Sequence, residues 1–108
     1  MKYFLAIGAL FIANLSFAGC GIRDAKVTEV FQYYDGTVFV GFNKSSDCSC
    51  SQNYRMAFFE NDESMDYIKS LILMAYATGK SVYALSDIAD CPIHNNTAQL
   101  NYFRIKGQ

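Results

Sequence analysis

Residues 62–85 carry the pattern of one amphipathic helix followed directly by a short strand. Asp62 or Ser64 can accept a hydrogen bond from a free amide of the first turn, which marks the helix start. Gly79 marks its end, because glycine readily adopts the left-handed conformation that often follows a last helical turn. Apolar residues recur in between with the helical period: Met65, Ile68, Leu71, Ile72 and Ala75. Others widen this stripe: Tyr67, Leu73, Met74 and Tyr76. So broad an apolar face needs another element to cover it.

The segments around this helix alternate between apolar and polar residues as strands do. Residues 25–42 have the pattern of a β-hairpin, and residues 54–60 follow as a third strand. After the helix, residues 81–86 and 98–106 are the fourth and fifth predicted strands. This order is that of a five-stranded OB-type barrel. We therefore predict a mainly β fold with one helix, arranged as an OB-like β-β-β-α-β-β barrel. The alternative is an open α+β antiparallel sheet with one helix on its face.

The turn within residues 25–42 decides which side chains share a face. Asp35-Gly36 predicts a two-residue type I′ turn, because these residue types accept the positive φ angles it requires. Tyr33 then faces Val38, and the predicted core face carries Val27, Phe31, Tyr33, Val38, Val40 and Phe42. The other face carries Val30, Gln32, Tyr34, Thr37, Phe39 and Gly41. Its aromatic content suits a second buried side or a contact surface. Glu29 falls on the core face, which indicates a β-bulge or a strand end that reaches solvent.

Residues 1–18 have the features of a signal peptide. Lys2 is their only charge, an apolar run follows it, and small residues precede the expected cleavage after Ala18. The run is shorter than the roughly 20 residues of a membrane-spanning helix. We therefore expect one domain, residues 19–108, that is periplasmic or secreted. The alternative is a lipoprotein, because residues 17–20 resemble a lipobox that would anchor the chain through Cys20.

All four cysteines follow this segment: Cys20, Cys48, Cys50 and Cys91. An even number in a small exported domain predicts two disulfides, which stabilise a chain with a modest core. Cys48 and Cys50 are too close in sequence to pair comfortably. Two pairings remain, Cys20–Cys48 with Cys50–Cys91, or Cys20–Cys50 with Cys48–Cys91. The same residues suggest one alternative, because Cys48, Cys50, Cys91 and His94 are a valid tetrahedral zinc set. Otherwise we expect no metal and no cofactor.

Charge and motif content exclude other classes of function. The chain carries 9 Lys and Arg against 10 Asp and Glu, without a basic run, so we expect no nucleic-acid partner. His94 is the only histidine, and no nucleophile motif accompanies it. Helix capping explains the acidic residues of 62–66. We therefore predict that the protein is not an enzyme.

Aromatic residues are the remaining functional signal. The chain has 8 tyrosines and 9 phenylalanines, more than a core of this size requires. The candidate binding residues are Tyr34, Phe39, Tyr83 and Tyr102, and Tyr76 is a further candidate for an outward position. Tyrosine has an apolar ring with a polar tip, which suits protein interfaces and sugar stacking. Equally, these rings can fill both sides of a strongly coiled sheet.

Two segments support a family resemblance. The hairpin pattern at residues 26–40 and the helix end at residues 71–80 resemble small secreted proteins of Gram-negative bacteria. The helix end and the strand after it also resemble the B subunit of subtilase cytotoxin, a family with an OB-type fold that forms a ring of five and binds sialylated glycans. The resemblance implies a pentameric binding module, with Tyr67, Lys69 or Met74 of the helix between subunits.

Three hypotheses about function follow. The favoured one is an exported, non-catalytic module, similar to a toxin B subunit, that self-associates through strand edges and the helix and binds glycan or protein. The second is a monomeric periplasmic envelope or inhibitor protein. The third is a small zinc-binding protein.

Overall fold

The structure is a computed structural model that describes residues 19–107. The predicted signal peptide, residues 1–18, lies outside the described residues. Within the described range the chain forms seven strands and one α-helix. In chain order these are β1 (Cys20–Ala25), β2 (Val27–Gln32), β3 (Thr37–Phe42), β4 (Arg55–Phe59), α1 (Asp66–Thr78), β5 (Val82–Ser86), β6 (Ala98–Gln99) and β7 (Tyr102–Ile105).

The strands form two sheets. Sheet A has the order β1-β5-β7 and is antiparallel, whereas sheet B has the order β2-β3-β4-β6 and joins β6 to β4 in parallel. The prediction of a mainly β fold with one helix is confirmed. Neither sheet closes into a barrel, so the open arrangement that was the alternative fits the structure.

Seven strands form instead of the five predicted because β1 precedes the first predicted strand, which corresponds to β2, and the last predicted strand is divided into β6 and β7. Within β1 the pairing with β5 slips between Ile22 and Ala25, where Asp24 has a φ of 56°. Between β6 and β7 the chain changes partner: the Leu100 amide donates to Ala57, and the Asn101 amide donates to Leu85. The consecutive strands β1 and β2 therefore lie in different sheets, and so do β6 and β7.

The core lies between the two sheets and α1. The inner face of each sheet is the one turned toward this core, and the outer face is the one turned away. Inner-face residues of sheet B include Val40, Met56 and Phe58, and those of sheet A include Ile22 and Val82, all buried. The helix contacts β2 and β7 and covers this core.

The ends of the helix confirm the predicted capping signals. The Asp62 carboxylate accepts hydrogen bonds from the Ser64 amide at 3.1 Å and the Ser64 hydroxyl at 2.6 Å. A 3₁₀ turn (Glu63–Met65) leads into α1. Gly79 follows the helix with a φ of 71°, and its amide donates to Ala75. The helix buries only Ile72 and Ala75 completely. Large apolar side chains remain exposed on its other faces: Tyr67, Leu73, Met74 and Tyr76.

The predicted turn between β2 and β3 is wrong by one residue. The Tyr33 amide donates to the Thr37 carbonyl at 2.8 Å, so the loop contains three residues, and Gly36 takes the positive φ of 88° at its end. Glycine at the last position of a three-residue loop is a common hairpin form. The register shifts accordingly: Phe31 pairs with Phe39, and Val30 pairs with Val40.

This shift exchanges the two faces of β2. Val30 replaces Phe31 on the inner face, and Phe31 lies on the outer face with Phe39. The assignment of Phe31 and Tyr33 to the core was therefore wrong. The predicted irregularity at Glu29 is confirmed as a bulge between Val27 and Glu29, which keeps Val27 buried. No helix within residues 19–107 has both the length and the apolar character needed to cross a membrane.

Candidate functional site

Two disulfide bonds tie the polar loops together. Cys20 pairs with Cys48, and Cys50 pairs with Cys91, which is one of the two pairings left open by the sequence. No cysteine remains free, and two disulfides indicate an oxidising environment outside the cytoplasm. Zinc binds the thiolate and not the disulfide, so Cys48, Cys50 and Cys91 do not form a zinc set with His94 in this oxidised structure. A disulfide-bonded Cys20 sulfur also cannot carry lipid, so the lipoprotein alternative does not fit.

The outer face of sheet B carries a cluster of aromatic rings centred on Phe39. This side chain is only 1 % exposed. Phe31 stacks on it with ring centroids 5.0 Å apart, and Tyr33 meets it edge-on at 6.1 Å. Tyr34 lies next to Tyr33 and is fully exposed. We call Phe31, Tyr33, Tyr34 and Phe39 the aromatic platform. Its centre is buried, and its rim presents ring surface to solvent.

A small hairpin at residues 93–97 covers the other side of Phe39. His94 and Asn95 at its tip have φ angles of 53° and 58°. Such angles are uncommon outside glycine, although His and Asn tolerate them better than most residues. The tip brings the His94 ring edge-on to Phe39 at 5.3 Å and to Tyr33 at 5.2 Å. Ile93 is buried beneath it against Phe39 and Ala57. The hairpin thus closes one end of the aromatic platform.

Asp35 connects this hairpin to the β2–β3 loop. Its Oδ2 lies 2.9 Å from the Nε2 of His94, and its Oδ1 accepts the Thr37 amide at 3.0 Å. Hydrogen bonds from His94 and Thr37 hold the pKa of Asp35 at about 2, below its ordinary value. The carboxylate is therefore ionised throughout the physiological range. Because an ionised carboxylate has several lone-pair sites, Asp35 can accept further hydrogen bonds from a ligand.

Arg55 supports the platform from β4. Its guanidinium carbon lies 4.3 Å from the centroid of the Phe39 ring and 5.9 Å from that of Tyr54. Its Nε donates to the Thr97 hydroxyl at 3.1 Å. A guanidinium stacked on an aromatic ring in a partly buried site is favourable. Arg55 thus links β4, the platform and the hairpin of residues 93–97.

The outer face of sheet A carries a second, smaller group of rings. Tyr83 and Arg104 are paired across β5 and β7, and the Arg104 guanidinium lies 5.5 Å from the Tyr83 ring centroid. Tyr102 lies on the same face opposite Leu85. Tyr102 is exposed, whereas Tyr83 is half-buried. This face therefore combines aromatic rings with an accessible cation.

The candidate binding residues do not meet within one chain. Phe39 lies on the outer face of sheet B and Tyr34 in the β2–β3 loop beside it, whereas Tyr83 and Tyr102 belong to the outer face of sheet A. Tyr34 and Tyr102 are exposed as expected, but Phe39 is buried and supports its neighbours instead of presenting a contact surface. Tyr76, on α1, is also exposed.

Sequence reasoning missed the two polar residues beside the aromatic platform. It treated His94 as an isolated polar residue in a loop and Asp35 as a turn residue. The signal that connects them is the bond Cys50–Cys91, which brings the segment before His94 toward the loop that precedes β4. Unless the disulfide pairing and the three-residue turn are known, the sequence does not predict that Asp35 and His94 lie close together.

The arrangement suits binding. His94 is paired with Asp35, but no serine, threonine or cysteine side chain within residues 19–107 hydrogen-bonds to His94. The rings can stack on a planar or apolar ligand surface, while Asp35 and the tyrosine hydroxyls can exchange hydrogen bonds with its polar groups. Comparisons with family models, with curated protein sequences and with solved structures find no match for this chain.

Proposed function

We propose that this protein is an exported, non-catalytic binding subunit whose ligand is a glycan. The observation that carries the proposal is the aromatic platform, where Phe31, Tyr33 and Tyr34 expose 38 %, 48 % and 100 % of their surface at the outer face of sheet B and in the loop that follows β2. Neighbouring exposed rings mark interaction sites more often than isolated ones do.

Polar groups beside these rings favour a sugar over a purely apolar ligand. The Asp35 carboxylate is ionised and lies at the rim of the platform. The hydroxyls of Tyr33 and Tyr34 can donate and accept. A sugar presents an apolar ring face together with hydroxyl groups, so it matches rings flanked by such groups. A protein ligand is the competing possibility, and the array experiment below separates the two.

Open strand edges support self-association as part of this proposal. In sheet A the edge of β1 is already closed: the Gly21 amide donates to the Asp47 side chain at 2.7 Å, and the Gly21 carbonyl accepts the Asp47 amide at 3.1 Å. The other edge of sheet A, β7, and the β2 edge of sheet B have no neighbouring strand within residues 19–107. An open edge is a template for pairing with another chain.

Pairing of β2 with β7 of a second copy is a head-to-tail contact. Such contacts use two different surfaces and generate closed rings when the rotation between subunits permits. The exposed apolar side of α1, with Tyr67 and Met74, would then be covered at the centre of the ring. We propose a ring of five, as the resemblance to the toxin B subunit implies. The continuity of β1 with β2 and of β6 with β7 supports assigning the two sheets to a partly open OB-like barrel.

A glycan array and a native mass spectrum test the proposal together. We expect the wild-type protein to assemble and to bind a defined set of oligosaccharides. Tyr34→Ala should lose this binding. Tyr34 makes no buried contact, so the substitution removes only ring surface that is available to a ligand. Tyr76→Ala removes another exposed tyrosine ring, from α1, and is the control, which should keep binding. Absence of binding to any oligosaccharide, or equal binding by both variants, contradicts the proposed ligand site.

A further inference from the structure

We propose that the ligand surface is shared between neighbouring subunits, with the aromatic platform of one subunit continuing onto Tyr102 and Arg104 of the next. This inference rests on the proposed pairing of β2 with β7. It goes further by deriving which faces meet and which residues lie opposite each other. The second copy then contributes part of the site, and a single subunit carries only half of it.

The hydrogen-bond pattern determines which faces meet. Tyr33 bonds to Thr37, so alternation assigns Phe31 and Glu29 to bonds with β3 and leaves the backbone groups of Val30 and Gln32 pointing outward. The bond from Lys106 to Ser81 likewise assigns Arg104 and Tyr102 to bonds with β5. The outward backbone groups of β7 therefore belong to Phe103 and Ile105.

On both edges, the residues whose backbone groups point outward carry their side chains on the inner face of the sheet. Val30 packs against the core, and Phe103 is buried in it. In an antiparallel pair, residues directly opposite each other point to the same face. Backbone hydrogen bonds between Val30 of one subunit and Phe103 of its neighbour therefore place the inner faces of the two sheets on the same side of the joined sheet. The outer face of sheet B then continues without interruption into the outer face of sheet A of the neighbour.

Charge complementarity and contact between exposed rings determine the register of the β2–β7 pair. With Val30 opposite Phe103, Glu29 lies opposite Arg104 and Phe31 lies opposite Tyr102. Neither Glu29 nor Arg104 makes an ion pair within residues 19–107, and both are exposed. Opposite charges and aromatic pairs facing each other across strands are both favourable. Phe31 and Tyr102 are also exposed, so the pairing covers two apolar surfaces at once.

This register brings the separated candidate residues onto one surface. Tyr33, Tyr34 and Asp35 lie on one side of the subunit boundary. Tyr83, with the Arg104 cation over its ring, lies on the other. A glycan bound there would contact rings and an ionised carboxylate of one subunit, and rings and a guanidinium of its neighbour. These residues are widely separated within one chain because each subunit supplies only half of the proposed site.

A designed cross-link tests the register without any ligand. Phe31 and Tyr102 would form a non-hydrogen-bonded pair, whose Cα atoms are about 4.5 Å apart, a distance that a disulfide spans. We expect the chain with Phe31→Cys and Tyr102→Cys to give covalent multimers on a non-reducing gel, with both native disulfides intact by peptide mapping. The control combines Phe31→Cys with Tyr83→Cys, one strand farther away at roughly 10 Å, and should give none.

Mixed assemblies test the shared site. Tyr33→Ala and Arg104→Ala should each abolish binding to the array oligosaccharide that the wild type binds. When the two variants are refolded together, about a quarter of the boundaries of a head-to-tail ring join an intact Tyr33 to an intact Arg104. We expect oligosaccharide binding to return in proportion to the fraction of such boundaries. If the site lies within one chain, every subunit carries a defect and no binding returns.

These outcomes separate the inference from the function on which it rests. An assembled, glycan-binding wild type without cross-linking or complementation overturns the shared site and leaves the binding function standing. A monomeric wild type overturns the shared site and the proposed ring, and a wild type that binds no oligosaccharide overturns the glycan-binding function as well.

Discussion

The imidazole Nε2 of His94 lies 2.9 Å from the Oδ2 of Asp35, although 59 residues separate them in sequence. Asp35 belongs to the loop between β2 and β3, and His94 to the tip of the hairpin at residues 93–97. Their bond closes the end of the aromatic platform and keeps the His94 ring edge-on to Tyr33. The geometry of the candidate site therefore depends on one contact between two loops.

This contact predicts how stability changes in acid. The pKa of Asp35 is about 2 in the folded protein, whereas an unfolded aspartate titrates near pH 3.9. Because the folded pKa is depressed, the contribution is complete above about pH 4 and is lost as pH falls toward 2. Asp35→Asn should lower the melting temperature most above pH 4, and the difference from wild type should shrink as pH falls to 2 and vanish below it. Melting curves by circular dichroism measure this. A difference that is constant with pH contradicts it.

Phe39 is predicted to matter through packing. Its ring is 1 % exposed between Phe31, His94 and Arg55. Truncation of a buried phenylalanine to alanine costs about 3–5 kcal/mol, because a cavity remains. Phe39→Ala should reduce the free energy of unfolding by that amount in urea, and Phe39→Leu by less than half as much. Equal, small effects of both substitutions would show that the ring is not packed as described.

Arg55 is predicted to stabilise through its planar shape as well as its charge. Lysine keeps the charge, but it cannot reproduce the stacking on Phe39 together with the Nε bond to Thr97. Arg55→Ala should cost about 1–2 kcal/mol, with Arg55→Lys recovering only a minor part. A double-mutant cycle with Phe39→Leu should show coupling between the two side chains. Additive effects would argue against the stacked contact.

The bond Cys50–Cys91 is predicted to hold the site as well as the fold. It closes a loop over a sequence separation of 41 residues, for which the chain-entropy model gives about 4 kcal/mol of stabilisation. The double variant Cys50→Ser with Cys91→Ser should lose most of this in urea unfolding. It should also weaken glycan binding, because it releases the segment that leads to His94. Unchanged binding with reduced stability would show that the hairpin is positioned independently of the disulfide.

Local signals in the sequence predict the elements of this fold well. Asp62 caps the 3₁₀ turn that leads into the helix and Gly79 ends the helix, as predicted, because both effects involve only neighbouring residues. A β-bulge between Val27 and Glu29 is one of the two irregularities predicted there, but the reason was wrong, because the observed register puts Glu29 opposite Gly41 on the outer face. Strand β1 and the interruption of the last predicted strand were not predicted. The interruption lies where the chain exchanges hydrogen-bond partners, at Leu100 and Asn101, and sequence periodicity does not indicate which strands pair.

The candidate site was less predictable because it depends on register and on long-range contacts. One residue in the turn at Asp35-Gly36 decides whether Phe31 faces the core or solvent, and both loop lengths suit that dipeptide. The partnership of Asp35 with His94 additionally requires the correct disulfide pairing. Aromatic content alone pointed to Tyr34 and Tyr102 but could not distinguish them from the buried Phe39.

The account depends most on the open edges of β2 and β7, and one measurement tests them directly. A native mass spectrum should be recorded for the oxidised wild type and for Val30→Pro. The Val30 amide points away from β3, so proline there removes no bond within sheet B but blocks pairing at the edge. We predict a single ring-sized assembly, five subunits, for the wild type and a monomer with both disulfides for the variant. A monomeric wild type, or an assembly that Val30→Pro leaves intact, would contradict the account.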